Sequence, residues 1–170
     1  GKSNSMKQLF LTHQSTRRPF KRLYIITCDA SSTEWLDCEP TAIMDQIPEL
    51  ELFNPKYKTL CIIDDFEMSK ISTATHRNVS TLFRFISSHR NVSLMVGYQS
   101  FFETPGIIRK CSNVFLLYKP VSGQELSMIA NRVGIDADVL HELFETVCNG
   151  TYDSLIVDHI PGSPYPLRKN

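Results

Sequence analysis

The sequence predicts an α/β fold, a mainly parallel sheet flanked by helices, and three observations carry that expectation. Compact apolar runs recur, among them "RLYIITCD", "TLCIIDDF" and "VSLMVGYQ". They are nearly continuous rather than alternating, as in strands covered on both faces. Segments with helical apolar spacing fall between the runs, which favours parallel strands joined by crossovers. Two of the runs end abruptly in polar side chains, Asp64-Asp65 and Gln99, at the strand end where an open parallel sheet binds its ligands.

Each element follows from its residues. Ser5 to His13 carries Met6, Leu9 and Phe10 at helical spacing, so a helix starts directly after Gly1-Lys2-Ser3. "RRPF" ends it, because proline cannot continue a helix. "RLYIITCD" is a buried strand. The stretch from Ala30 to Tyr57 is irregular, with Pro40, Pro48 and Pro55 and a short helix expected near Thr41 to Gln46. "TLCIIDDF" is the strongest strand, and Thr75 to Ser88 follows as an amphipathic helix with Val79, Leu82, Phe83 and Ile86 on one face. Then come the strands "VSLMVGYQ" and "SNVFLLYK", helices over Glu125 to Val133 and Val139 to Cys148, a last strand "SLIVD" and a proline-rich tail. With no repeat, low-complexity tract or linker, residues 1–170 are expected to form a single domain.

Composition narrows the function classes. Lys plus Arg and Asp plus Glu both total 18, which argues against whole-surface electrostatic binding of nucleic acid while leaving room for a local patch. The five cysteines are odd in number and contain no C-x-x-C pair, which points to reduced thiols in an intracellular protein rather than a disulfide framework or a zinc site. No run reaches the roughly 18 apolar residues of a membrane span, and no signal peptide opens the chain. The histidines show no metal-ligand spacing, and no G-x-S-x-G nucleophile elbow occurs.

The opening Gly1-Lys2-Ser3 matches the end of a phosphate-binding loop, G-x-x-x-x-G-K-[ST]. In such a loop backbone N–H groups cradle phosphates, the lysine reaches the terminal phosphates and the hydroxyl binds magnesium. Three residues alone are a weak match, but their context strengthens it. A helix follows at once, then a buried strand, then the strand ending in Asp64-Asp65. Phosphate-loop ATPases need one carboxylate at such a strand end for magnesium and a neighbour to polarise the attacking water. Read without the opening, the two aspartates are as well explained as loop-start carboxylates capping a helix. Read with it, the favoured interpretation is a truncated phosphate loop, whose preceding strand and first glycine are expected in a longer protein.

Gln99 can hydrogen-bond a γ-phosphate or its attacking water, or simply begin a loop. A trans-acting arginine would neutralise charge on the transferring phosphoryl group, and the candidates are Arg90, Arg109 and Arg168. Arg17, Arg18, Lys21 and Arg22 form a basic cluster, read either as a solvated turn or as a contact to a nucleic-acid backbone.

Taken together, "GKS", "KRLYIITCD", "KTLCIIDDF", "SHRNVSLMVGYQSFFETPGIIRKCSNVFLLYK" and "DSLIVD…YPLRKN" resemble the genome-packaging ATPases of large DNA viruses, virophages and Polinton-like elements, within the FtsK–HerA superfamily. The resemblance spans nearly the whole chain apart from residues 30 to 55. It implies a RecA-like phosphate-loop fold of the additional-strand type, and ATP hydrolysis with Mg2+ coupled to movement of double-stranded DNA through a ring-shaped homo-oligomer, a hexamer or pentamer, at a capsid portal or vertex. It further implies a soluble protein of the virion or of the viral factory in the host cytoplasm. Carried over residue by residue, Gly1, Lys2 and Ser3 end the Walker A loop, Ser3 and Asp64 serve the metal, Asp65 activates water and Gln99 is the sensor. Arg90 is then the first choice for the trans finger and Arg109 the second. Many members carry Glu where this chain has Asp65, so here a shorter side chain must sit closer to the water or act through another group. The competing expectations are a non-translocating nucleotide or polynucleotide kinase, and a catalytically inactive scaffold that keeps the ATPase fold.

Overall fold

A computed structural model of the chain describes residues 2–16, 18–68, 71–150 and 152–169. Two compact units divide it, residues 1–99 and 100–170.

The first unit holds a four-stranded sheet of β1 (Arg22–Thr27), β2 (Ala42–Met44), β3 (Thr59–Asp64) and β4 (Val92–Gly97), in the order β2-β1-β3-β4. Every pairing in it is parallel, as the unbroken apolar runs predict. Helix α1 (Lys2–Gln14) precedes β1. Between β3 and β4 lie α2 (Thr73–Thr81), a π-helical stretch over Leu82–Ile86 and α3 (Ser87–His89). The Ser72 hydroxyl caps α2 by accepting the Thr75 N–H.

Strand alternation sorts this unit's core. Leu23, Ile25, Leu60 and Ile62 join Met6 and Phe10 of α1, with Phe20 and Trp35, in one apolar cluster. Tyr24 points to the opposite face, where its ring meets Phe53 edge-on at 5.9 Å. The same two-residue period that puts Leu60 and Ile62 on the α1 face puts Asp64 there too.

Two expectations differ from the structure. The short helix near Thr41 to Gln46 is instead strand β2, registered Tyr24↔Ala42 to Ile26↔Met44, with helical turns at Thr33–Cys38 and Leu50–Leu52 on either side. Three residues are too few to show a period, and pairing with β1 decides their conformation. The second difference concerns the later strands. β5 (Val114–Tyr118), β6 (Ser154–Asp158) and β7 (Leu167–Lys169) form a separate antiparallel sheet in the second unit. "VFLLY" is apolar throughout, yet burial alternates along β5, because only one face has a core to enter.

That core gathers Phe115, Leu117, Leu155 and Val157 from the sheet with Leu126 and Ile129 of α5 (Gly123–Val133) and Leu140 and Phe144 of α6 (Ala137–Val147). A short helix, α4 (Gly106–Cys111), precedes β5. Gly134 ends α5 in the left-handed region at φ 73°, which an L side chain adopts only under strain, and Asp136 caps α6. All five cysteines are free thiols, and burial pushes that of Cys61 up to about 12. Among the described residues no helix is long and apolar enough to cross a membrane.

Candidate active site

Helix α1 presents its N-terminus, where backbone N–H groups lack intrahelical partners and the helix dipole favours anions. No acidic residue occupies its first turn. Lys2 and Ser3 stand there, facing the end of β3. The Lys2 ammonium lies 3.6 Å from Asp65 Oδ1, close enough for an ion pair and too far for a hydrogen bond. Its Nζ is buried and has no hydrogen-bond partner among the described residues, and the same is true of Asp64 Oδ1. A buried cation and a buried carboxylate oxygen, both with open hydrogen-bonding capacity, form the unsatisfied arrangement that a ligand completes.

Asp64 is 2 % exposed. Burial pushes its carboxyl above the usual carboxylate range, with the charges of Asp65 and Glu34 adding to the rise. The Ser3 hydroxyl and the Lys2 ammonium pull the other way.

Asp65 is directed by its backbone. Continued extended, it would point away from α1, opposite Asp64. Instead it adopts φ 48°, the left-handed region that aspartate tolerates better than most residues, and its carboxylate returns towards Lys2. The Cys28 thiol, just past β1, donates to the Asp65 carbonyl and braces this turn. Beside it a cleft of about 470 Å³ opens between the ends of β1 and β3 and helix α2, with Cys28, Phe66 and Thr75 in its wall. That is the strand end at which parallel sheets take ligands.

Gly97 is the cross-strand partner of Asp64. A Cβ there would lie 2.7 Å from Asp64 Oδ1 and 3.0 Å from Met6 Cε, so the carboxylate occupies space that only glycine leaves free. Gly97→Ala is therefore expected to lower stability by about 1–3 kcal/mol, read as a fall in Tm, with Asp64 driven from its present position. A variant as stable as the parent would mean that the contact relaxes freely.

Lys2, Ser3, Asp64 and Asp65 are thus brought together, while Gly1 and Arg17 lie outside the described residues. Gln99 is exposed and stands two residues beyond the end of β4, not on the strand itself. Arg90 sits at the far end of β4 from Gly97, and its guanidinium donates to the Leu50 carbonyl at 2.8 Å. Arg109, in the second unit, lies over the Phe101 ring at 5.3 Å, with Nε buried and unpartnered among the described residues. Arg18, Lys21 and Arg22 gather at the start of β1, the end of the sheet opposite Asp64. There Arg22 stacks on Tyr57 at 4.7 Å, and Lys58 donates to the Arg18 carbonyl at 2.8 Å.

Sequence reasoning missed Gly97, Cys28 and Glu34. Only Gly97 left a signal, since a glycine within an apolar strand often marks a close approach.

No family model and no curated protein matches the sequence. Solved structures do resemble the fold. The genome packaging NTPase B204 of Sulfolobus turreted icosahedral virus 2, in complex with AMP, superposes with a TM-score of 0.67 at 17 % identity, over 100 % of this chain and 91 % of that one. Its complex with sulfate gives a TM-score of 0.68 at 16 % identity, over 100 % and 90 %. B204, the DNA-packaging ATPase of Sulfolobus turreted icosahedral virus, gives 0.66 at 15 %, over 100 % and 91 %. At such low identity the likeness speaks to architecture, and this chain has the phosphate-loop NTPase fold of the viral genome-packaging NTPases.

Proposed function

We propose that the chain is a single ATPase domain of an ATP-hydrolysing motor that moves double-stranded viral DNA into a capsid. The observation that carries this reading is the meeting of Lys2 and Ser3, at the N-terminus of α1, with Asp64 and Asp65 at the end of β3. The likeness to packaging NTPases crystallised with AMP, AMPPCP and ATP-gammaS supports nucleotide as the ligand.

In this reading the α1 N-terminus and Lys2 bind the phosphates. Lys2 must then leave its pairing with Asp65, which frees that carboxylate to orient and deprotonate the attacking water. Ser3 and Asp64 fit Mg2+, because they offer two oxygen donors and one of them is orphaned and buried. Mg2+ takes few protein ligands and completes its shell with phosphate and water. When bound, it would neutralise charge on the phosphates. Gln99 senses the γ-phosphate, and Arg90 or, failing it, Arg109 serves a neighbouring subunit of a homo-oligomeric ring. Arg18, Lys21 and Arg22, with Gly1 and Arg17, complete the proposed phosphate and DNA contacts.

The test is ATP turnover of the protein with and without duplex DNA, beside Lys2→Ala. The expected result is DNA-stimulated turnover that the substitution reduces at least about 100-fold. Lysine-dependent turnover indifferent to DNA would favour a kinase-like enzyme, and no turnover at all would retire the motor.

A further inference from the structure

Within the first unit, the end of the sheet away from Asp64 gathers cations that no carboxylate neutralises. Arg18, Lys21 and Arg22 lead into β1, and Lys56 and Lys58 lead into β3, the two strands running in parallel register from Arg22↔Thr59. Backbone bonds tie the two segments together, the Lys21 and Arg22 N–H groups both donating to the Lys58 carbonyl, at 2.8 and 3.3 Å. The Lys58 ammonium reaches back to the Arg18 carbonyl and lies 4.6 Å from the centre of the Phe20 ring. Among the described residues none of the five side chains forms an ion pair, although acidic and basic residues are equal in number over the chain. Cations gathered without counter-charges repel one another, and a bound anion relieves that repulsion.

The cluster surrounds a stacking platform. The Arg22 guanidinium lies over the Tyr57 ring at 4.7 Å, and Tyr57 remains 40 % exposed. Beside them opens a cavity of about 190 Å³ with Tyr24, Asn54 and Thr59 in its wall and no carboxylate. Sites that enclose a drug-sized ligand measure roughly 300–1,000 Å³, so this one suits a small planar group whose remainder stays on the surface. A nucleobase is such a group, and it stacks on aromatic rings and guanidinium planes alike. The Asn54 side-chain oxygen accepts the Lys56 N–H at 3.0 Å, which leaves its NH₂ to donate to a base edge. Bases inside a duplex are stacked on each other, so only an unpaired base can use the platform.

We infer that this end of the first unit binds an unpaired nucleic-acid strand, one base resting on the Arg22–Tyr57 platform while Arg18, Lys21 and Lys56 meet the neighbouring phosphates. The phosphates supply salt-dependent affinity and the stacked base supplies the preference for a single strand, such as a strand end or a locally opened duplex. This shares with the motor reading only that the cluster meets nucleic acid. It adds Tyr57, Lys56 and Asn54 to the contact and depends on no step of ATP hydrolysis.

Fluorescence anisotropy of the whole chain, without nucleotide, tests it against a labelled single strand of about 12 nucleotides and a duplex of the same length. The single strand should bind about tenfold more tightly than the duplex at the same salt concentration. Tyr57→Ala should weaken the single strand about 5- to 100-fold, the worth of one stacked base, and leave duplex binding near that of the parent. Tyr57→Phe, which keeps the ring, should restore the affinity. Lys56→Ala should weaken both partners alike and lower the salt slope for the single strand by about 0.7. Melting confirms that each variant is folded. Duplex bound as tightly as the single strand, a folded Tyr57→Ala variant with parental single-strand affinity, or no binding of either at low salt would each overturn the inference. Single-strand binding by a protein without ATP turnover would retire the motor and leave this inference standing, and DNA-stimulated turnover without a single-strand preference would do the reverse.

Discussion

Asp65→Asn should bind ATP nearly as the parent does and hydrolyse it about 10²–10⁴-fold more slowly, the range associated with loss of a general base. The structure makes this a clean substitution. Asparagine tolerates the left-handed conformation at φ 48° at least as well as aspartate, so the turn after β3 is retained. The carboxylate is 59 % exposed, and an ion pair that open to solvent contributes little to stability. Tm should stay close to that of the parent. The affinity for a non-hydrolysable ATP analogue should change no more than a few-fold, because the Lys2–Asp65 ion pair that phosphate displaces is open to solvent and weak. Equal turnover in variant and parent would remove Asp65 from the mechanism, whatever the fate of the rest of the site.

Asp64→Asn should behave differently, raising the stability of the nucleotide-free protein by about 1 kcal/mol while reducing turnover by two orders of magnitude or more. A carboxylate with one buried, unpartnered oxygen burdens the fold, because desolvation outweighs what Ser3 and Lys2 return. A neutral isostere removes that burden and the repulsion from Asp65 and Glu34. It also removes the anionic oxygen that fits the metal. Melting curves with and without Mg-ATP check both halves. The variant should start higher and gain less on adding nucleotide. A variant that melts lower than the parent without nucleotide would mean that Asp64 supports the fold.

Much of this arrangement is legible in the sequence, for identifiable reasons. β1 and β3 are buried on both faces over residues 23–26 and 60–63, so the residues there are apolar at every position and the strands announce themselves. Helix α1 shows through the spacing of Met6 and Phe10, both buried, though it begins at Lys2 rather than after Ser3. Strand direction is less legible. "SNVFLLYK" and "SLIVD" carry the same apolar composition as the parallel strands, yet they pair antiparallel, because direction is settled by partners far away in the chain. β2 is hidden because three residues owe their conformation to β1 rather than to themselves. At the site, residue types could be read but backbone state could not. No local pattern signals a positive φ at Asp65. Ser122 and Glu125 do spell a capping box in S-x-x-E, yet nothing near them foretells that the other carboxylate oxygen of Glu125 accepts from Ser100 and Phe101.

The alternation along β3 limits how the gene can vary in length. Because Leu60, Ile62 and Asp64 share the α1 face, a single-codon insertion or deletion inside Thr59–Asp64 would carry the aspartate to the opposite face, the one Tyr24 shares with Phe53, where neither Lys2 nor Ser3 waits. A two-codon change restores the face but shifts the register against Gly97. Strand β3 is therefore closed to insertions and deletions of either length.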